Sequence, residues 1–301
     1  MHADKVFDAA RRNDFEKVKM FIEKGNVSPA TKNSLHQETL AHIAARNGSL
    51  DMLKYLLEKD PSLLTMKYYY NIEDGPCTLL ALAVEHGHLE IVKYLVEKHD
   101  ADIYEKFHDK YTAINWAIFH GHLNITKYFI EERNVDVDKP PMKGYVCSLF
   151  DKFRPLLFDA LKAKREEIVS YLIEERKANL SVVDEDNENI LYPAAREGNL
   201  EFIKNILDKE KAQININWQN NKGYTLVHEI INNWRPSEMN GKILSYLINK
   251  KYADIEIPAG EREWTPLHYA TDHSKYDAIN TYWTVVLIYE RETSMVILPY
   301  I

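Results

Sequence analysis

Internal repetition constrains this chain more than any other feature. A short pattern, clearest at Thr265-Pro266-Leu267-His268-Tyr269-Ala270, recurs along the whole length. Copies in register begin at Thr39, Thr78, Thr112, Asn189 and Thr225. A second apolar stripe follows each, as in LDMLKYLLEKD from Leu50 and LEIVKYLVEKH from Leu89. Two looser copies, Val6–Gly25 and Pro155–Leu180, complete eight units starting near residues 4, 39, 78, 112, 155, 189, 225 and 265. The starts are 35, 39, 34, 43, 34, 36 and 40 residues apart. Such a chain folds as an array of like supersecondary units, each contacting its neighbours, rather than around one central core.

Each unit reads as two helices joined by a turn. Thr at the start can cap the first helix, its hydroxyl accepting a bond from an orphan backbone N–H. Pro266 sits one residue later, where a missing N–H costs nothing. Ala44-Ala45 and Ala194-Ala195 are small enough for neighbouring helices to approach closely. Gly48, Gly87, Gly121 and Gly198 fall where a left-handed residue would end the first helix. Leu50, Leu53, Leu56 and Leu57 then give the second helix one apolar face. One unit cannot bury that face alone, so the units must stack. Lys164 and Glu166 break the pattern in the fifth unit, replacing the expected glycine and an apolar residue.

This pattern resembles the ankyrin repeat, a helix-turn-helix unit of about 33 residues carrying T-P-L-H-x-A. The resemblance implies an all-α solenoid over nearly the whole chain. It also implies a non-catalytic module that binds a protein partner through a concave face of turn tips and first helices. By resemblance, that face draws on positions before the Thr and before the helix-ending Gly. These are Glu38, Arg46 and Asn47; Glu85 and His86; Tyr111, Phe119 and His120; Arg196 and Glu197; Tyr224, Asn232 and Asn233; Trp264, Asp272 and His273, with Trp234 in an enlarged turn nearby. The aromatic members suggest hot spots; Tyr111 and Tyr224 have the alternative role of packing on adjacent turn tips. His42, His228 and His268 take the His position of the motif, which the resemblance assigns to the turn network and not to catalysis.

Three insertions interrupt the array. Asp60 to Cys77 holds Tyr68-Tyr69-Tyr70, an aromatic anchor or a cover for the groove between units. Residues 139–154 carry three Lys and one Arg against Asp151, and Pro140-Pro141 cannot continue a helix. This segment is a plain linker or a dock for an acidic partner. It separates residues 1–138, with units one to four, from 155–301, with units five to eight. Trp234 to Asn240 widens the seventh turn.

Other function classes find little support. The net charge of −8 argues against general binding to a phosphate backbone. Only Cys77 and Cys147 are present, which favours a reducing intracellular compartment, cytoplasmic or nuclear, over a disulfide framework. No apolar run reaches the roughly 18 residues of a membrane span, and MHADKVFDAARRNDFEK lacks the apolar core of a signal peptide. His86-Gly87-His88 and His120-Gly121-His122 raise zinc binding, but no Cys or carboxylate completes a four-ligand spacing. Cys147 has cations nearby but no His. We therefore expect no catalytic residue, no metal and no cofactor. An adaptor recruiting a separate enzyme is the alternative function. A host-directed effector delivered into a host cell is compatible with a composition prominent in Lys, Asn, Ile and Tyr. Finally, Tyr276 to Glu290 and the tail Ser294–Ile301 are apolar. A folded-back tail, a homodimer through the C-terminal unit, or a chain continuing past residue 301 would each cover that surface.

Overall fold

The computed structural model describes residues 2–33, 37–68, 77–106, 111–139, 154–208, 214–234, 238–251, 253–272, 276, 279–280 and 282–284. Among these residues the protein is all-α, with only isolated β-bridges such as Tyr68 to Cys77. Two compact units result. The first runs from the N-terminus to Asp136; the second takes up Val137–Lys139 and the residues from Arg154 onward. The second unit holds its leading segment through Leu156 N–H donating to the Val137 carbonyl at 3.2 Å and Asn179 N–H to Asp138 Oδ1 at 2.9 Å.

The first unit contains four helical hairpins: α1 (His2–Arg11) with α2 (Phe15–Glu23), α3 (Leu40–Asn47) with α4 (Leu50–Lys59), α5 (Leu79–Glu85) with α6 (Leu89–His99), and α7 (Ala113–His120) with α8 (Leu123–Lys127). Helix α8 continues through a wider turn, Tyr128–Glu132, in which Arg133 N–H reaches back five residues to the Tyr128 carbonyl. The second unit contains α9 (Leu156–Lys162) with α10 (Glu166–Ser170), which widens in the same way over Tyr171–Glu175. It continues with α11 (Leu191–Arg196) and α12 (Leu200–Asp208), α13 (Leu226–Asn232) and α14 (Glu238–Lys251), and α15 (Pro266–Asp272). First helices pack on first helices: α1 on α3, α3 on α5 and α5 on α7, then α9 on α11, α11 on α13 and α13 on α15. Ala44 and Ala45 at the α3 contact, and Ala194 and Ala195 at the α11 contact, are buried, as their size requires for close approach.

The turns confirm the local physics. Thr78 Oγ1 accepts from Ala81 N–H at 3.1 Å and caps α5. Gly48 and Gly87 end α3 and α5 with φ of 74° and 78°. They are small for a second reason. A Cβ on Gly48 would stand 2.6 Å from His88 Nδ1 of the next hairpin, and one on Gly87 would stand 2.7 Å from the His122 ring. Asn13 and Lys164 adopt the same left-handed conformation, with φ of 57° and 56°, without being glycine.

A further stitch joins the second helices. A Lys of one hairpin lies over a Tyr ring of the next: Lys19 over Tyr55 at 6.0 Å, Lys54 over Tyr94 at 5.5 Å, Lys93 over Tyr128 at 5.1 Å and Lys204 over Tyr246 at 5.9 Å. The acid one turn beyond the Lys completes it in two cases, where Tyr128 donates to Glu97 at 3.3 Å and Tyr246 to Asp208 at 2.7 Å. Each such contact contributes about 0.5–1 kcal/mol at an accessible site.

Candidate interaction surface

In the second, third, fourth and sixth hairpins the residue before the first-helix cap and the residue seven after the cap face one another. In the second hairpin the pair is Glu38 and Arg46. Arg46 donates to Glu38 Oε2 at 2.8 Å and to the Tyr68 hydroxyl at 3.0 Å, with its guanidinium carbon 5.6 Å from the Tyr68 ring centre. Asn33 Nδ2 donates to the other Glu38 oxygen at 2.8 Å. Tyr68 is only 4 % exposed, so this ring covers the structure; Tyr69 and Tyr70 lie outside the described residues. The second unit repeats the arrangement. Arg196 grips Glu188 with both terminal nitrogens, at 2.8 and 2.5 Å, and donates through Nε to Glu229 at 2.6 Å. Both carboxylates are buried. Asn233 Nδ2 also donates to Glu229, at 2.6 Å. Arg46, Arg196 and Asn233 thus give their donors to internal acceptors.

The fourth hairpin presents rings in place of ions. Tyr111 and Phe119 lie 6.3 Å apart, and Trp116 stacks on Phe119 at 5.5 Å with planes 9° apart. Trp116 also meets Tyr111 at 5.3 Å, and the His120 ring is edge-on to both Trp116 and Phe119. Phe119 remains 48 % exposed. The sequence-predicted trio of Tyr111, Phe119 and His120 is therefore brought together. Trp116 was not anticipated, although it sits three residues before Phe119 and so shares its helix face. A second cluster gathers Tyr224 and Trp264 around Tyr269, at 5.1 and 5.5 Å, with the Arg262 guanidinium 4.7 Å from the Trp264 ring. Tyr224 and Trp264 are half-buried, unlike Phe119.

Four of the histidines take two structural roles. In His42 and His228, Nδ1 accepts from the backbone N–H of Thr39 and Thr225, at 3.1 and 3.2 Å. Their Nε2–H groups donate to the Met66 and Trp264 carbonyls, both at 3.1 Å. Burial holds both rings neutral and lowers each pKa to about 4. Tyr192, at the equivalent place, reaches the Trp218 and Tyr224 carbonyls, each at 2.7 Å. His88 and His122 instead donate through Nε2 to the Arg46 and Glu85 carbonyls of the preceding turn, at 2.7 and 2.8 Å. Among the described residues, no group of three or more His, Cys, Asp or Glu is arranged to hold a metal ion.

A model of the family described as "Ankyrin repeats (3 copies)" matches residues 6–107, 62–141 and 80–184, together more than half of the chain. The chain belongs to the ankyrin repeat family. Ankyrin repeats are in general protein–protein interaction modules, and in general not catalytic. No curated protein matches the chain. Among the described residues, no helix is long and apolar enough to cross a membrane.

The remaining candidates are scattered over this ankyrin framework. His86 is exposed, and its Nδ1 lies 3.1 Å from the Leu82 carbonyl. Glu85 is half-buried, and its charge together with burial raises the Cys77 thiol to about 12, burial being the larger cause. Trp234 is half-buried, and its Nε1 has no hydrogen-bond partner among the described residues. His273 and Cys147 lie outside the described residues. In the second unit a cavity of about 360 Å³ is lined by Arg196, Glu229, Asn233 and Met239. A wider groove of about 800 Å³ lies beside it, lined by Lys164, Glu166, Leu200 and Phe202. Glu166 stands there where other hairpins carry Leu50, Leu89, Leu123 or Leu200, and a charged side chain does not fill that apolar slot.

Proposed function

We propose that the protein is a non-catalytic ankyrin interaction module that captures a protein partner on its first-helix face, with the rings of the fourth hairpin at the centre of contact. One observation carries this reading. Phe119 is a large apolar side chain left half-exposed on a ring stack with Trp116 and Tyr111. Rigid, clustered aromatics are the usual anchors of protein interfaces, because they bury much area and lose little entropy. The test is capture of partners from cell lysate by the intact chain and by Phe119→Ala. Truncating a hot-spot ring costs about 2 kcal/mol or more of binding, roughly thirtyfold. The far-UV circular dichroism signal should stay unchanged. Tyr224→Ala and Trp264→Ala serve as contrasts, since those rings are packed on Tyr269 and their loss should lower stability as well. Undiminished capture by Phe119→Ala would sink the reading.

A second occupant applies to the C-terminal surface. Tyr276 is 72 % and Trp283 47 % exposed, which supports a homodimer in which this surface meets its own copy. Sedimentation over a hundredfold concentration range tests it. A mass that stays monomeric, and does not respond to Trp283→Glu, removes the dimer.

A further inference from the structure

Glu85 stands in the third hairpin where Arg46 stands in the second and Phe119 in the fourth. Its side chain makes no hydrogen bond or ion pair among the described residues, in contrast with Arg46 and Arg196 at the same position. The residue facing it is Cys77, a neutral thiol that offers no counter-charge. On the side of the fourth hairpin, His122 donates to the Glu85 carbonyl at 2.8 Å. The His122 ring is stacked on His120 at 6.1 Å, and His120 meets Phe119 at 5.3 Å. A half-buried carboxylate and a half-exposed ring stack therefore lie on neighbouring hairpins of the same face.

The protein shows what such a pair accepts, because it builds one from its own residues. Arg46 sits between a carboxylate, Glu38, and a ring, Tyr68. Arg262 likewise lies over Trp264. A planar guanidinium satisfies both neighbours at once, pairing with the carboxylate through its edge and with the ring through its face. In the third and fourth hairpins the carboxylate and the rings are present, and among the described residues no cation pairs with Glu85; Arg46, which acts on Cys77, is already held by Glu38 and Tyr68.

We infer that this site receives an arginine side chain of the partner, its guanidinium paired with Glu85 and laid against the Phe119–Trp116 rings. The inference rests on the interaction reading above and names the chemistry that reading leaves open. Arginine is favoured over lysine because an ammonium group lacks the flat face that stacks on a ring and the fork that matches a carboxylate.

The experiment selects a random peptide library against the full chain and against Glu85→Gln and Phe119→Ala. An arginine at one fixed position of the enriched peptides is the expected result, lost with Glu85→Gln. A synthetic peptide of that consensus should bind the parent chain about tenfold or more tighter than it binds Glu85→Gln. Replacing its arginine by citrulline, which has the same shape without the charge, should cost about the same factor and should cost nothing further against Glu85→Gln. A consensus without arginine, or one that Glu85→Gln selects equally well, overturns the inference. A consensus that lacks arginine but is lost with Phe119→Ala leaves the interaction face standing while removing its arginine. Circular dichroism and melting of both variants confirm that each is folded.

Discussion

The second and third hairpins of the first unit carry a charge at the same turn position and treat it in opposite ways. Arg46 is locked between Glu38 and Tyr68 and braced by Asn33, whereas Glu85 has no ion pair or hydrogen bond among the described residues. The second unit sides with Arg46, since Arg196 is held by Glu188 and Glu229. A charge at a turn tip is therefore not by itself a sign of binding. Where the residue before the helix cap is its counter-charge, the pair holds the hairpin; where that residue is a thiol, the charge has no partner among the described residues. This divides the surface into positions whose loss should be read in stability and positions whose loss should be read only in binding.

The sharpest break of that division is Glu38→Ala. It leaves Arg46 without its carboxylate and removes the Glu38 oxygen to which Asn33 donates. Removing one member of a buried ion pair costs about 3–5 kcal/mol. Arg46 keeps part of its hydration, with 29 % of its side chain exposed, so the low end of about 3 kcal/mol is expected. The urea midpoint of the first unit reports it. A loss below about 1 kcal/mol would show that the pair is a surface contact and that Arg46, like Glu85, is free to bind.

Gly48→Ala comes next, at about 2 kcal/mol. The left-handed backbone accounts for about 1 kcal/mol, and crowding against His88 supplies the rest. Lys164 shows that the backbone alone tolerates a side chain at this turn. The double change Gly48→Ala with His88→Ala should therefore cost less than the sum of the two single changes in thermal melting. Strict additivity would assign the whole cost to the backbone.

How much of this was legible in the sequence follows the same line. The repeat, the Thr caps, the left-handed turns and the histidine network could all be read, because each is local and recurs at fixed spacing. Trp116 and Tyr192 could have been read from helix spacing and motif position. The internal use of Arg46 and Arg196 was harder to see. It depends on Glu38 and Glu188 standing eight residues upstream, and on Tyr68 and Glu229 arriving from the next hairpin. A list of variable surface positions treats Arg46, Glu85 and Arg196 alike, and only the partners across the stack separate them.

Acid should act on both units through their capping histidines, by about 1.4 kcal/mol per pH unit for each ring. Unfolded His binds a proton near pH 6.5, whereas folded His42 and His228 do so only near 4. Between those values the unfolded chain holds more protons, so stability is complete above about pH 6.5 and falls as pH drops toward 4. Asn115 occupies the same motif position in the fourth hairpin, which makes His42→Asn a substitution the fold already uses. Urea unfolding of the first unit between pH 7 and pH 4.5 should lose most of its His42-dependent slope in that variant. An unchanged slope would place the acid sensitivity elsewhere.

The smallest expected effect is also the one on which the comparison depends. Glu85→Gln should change stability by less than about 0.5 kcal/mol, the usual range for surface substitutions away from packed features, and Phe119→Ala by about 1 kcal/mol, the loss of its half-buried ring contacts. Among the described residues Glu85 has no side-chain bond to lose, and its amide variant keeps the side-chain shape beside Cys77. Phe119 surrenders only the buried half of its ring, and Trp116 stays in place beneath it, contacting Tyr111 on its other side. A melting curve superimposable on the parent chain for Glu85→Gln, and one only slightly lowered for Phe119→Ala, together with weakened partner capture, would place both residues on the binding side of the division. A drop in melting temperature for Glu85→Gln comparable to that of Glu38→Ala would mean that Glu85, too, holds the stack together, and the distinction between the second and third hairpins would collapse.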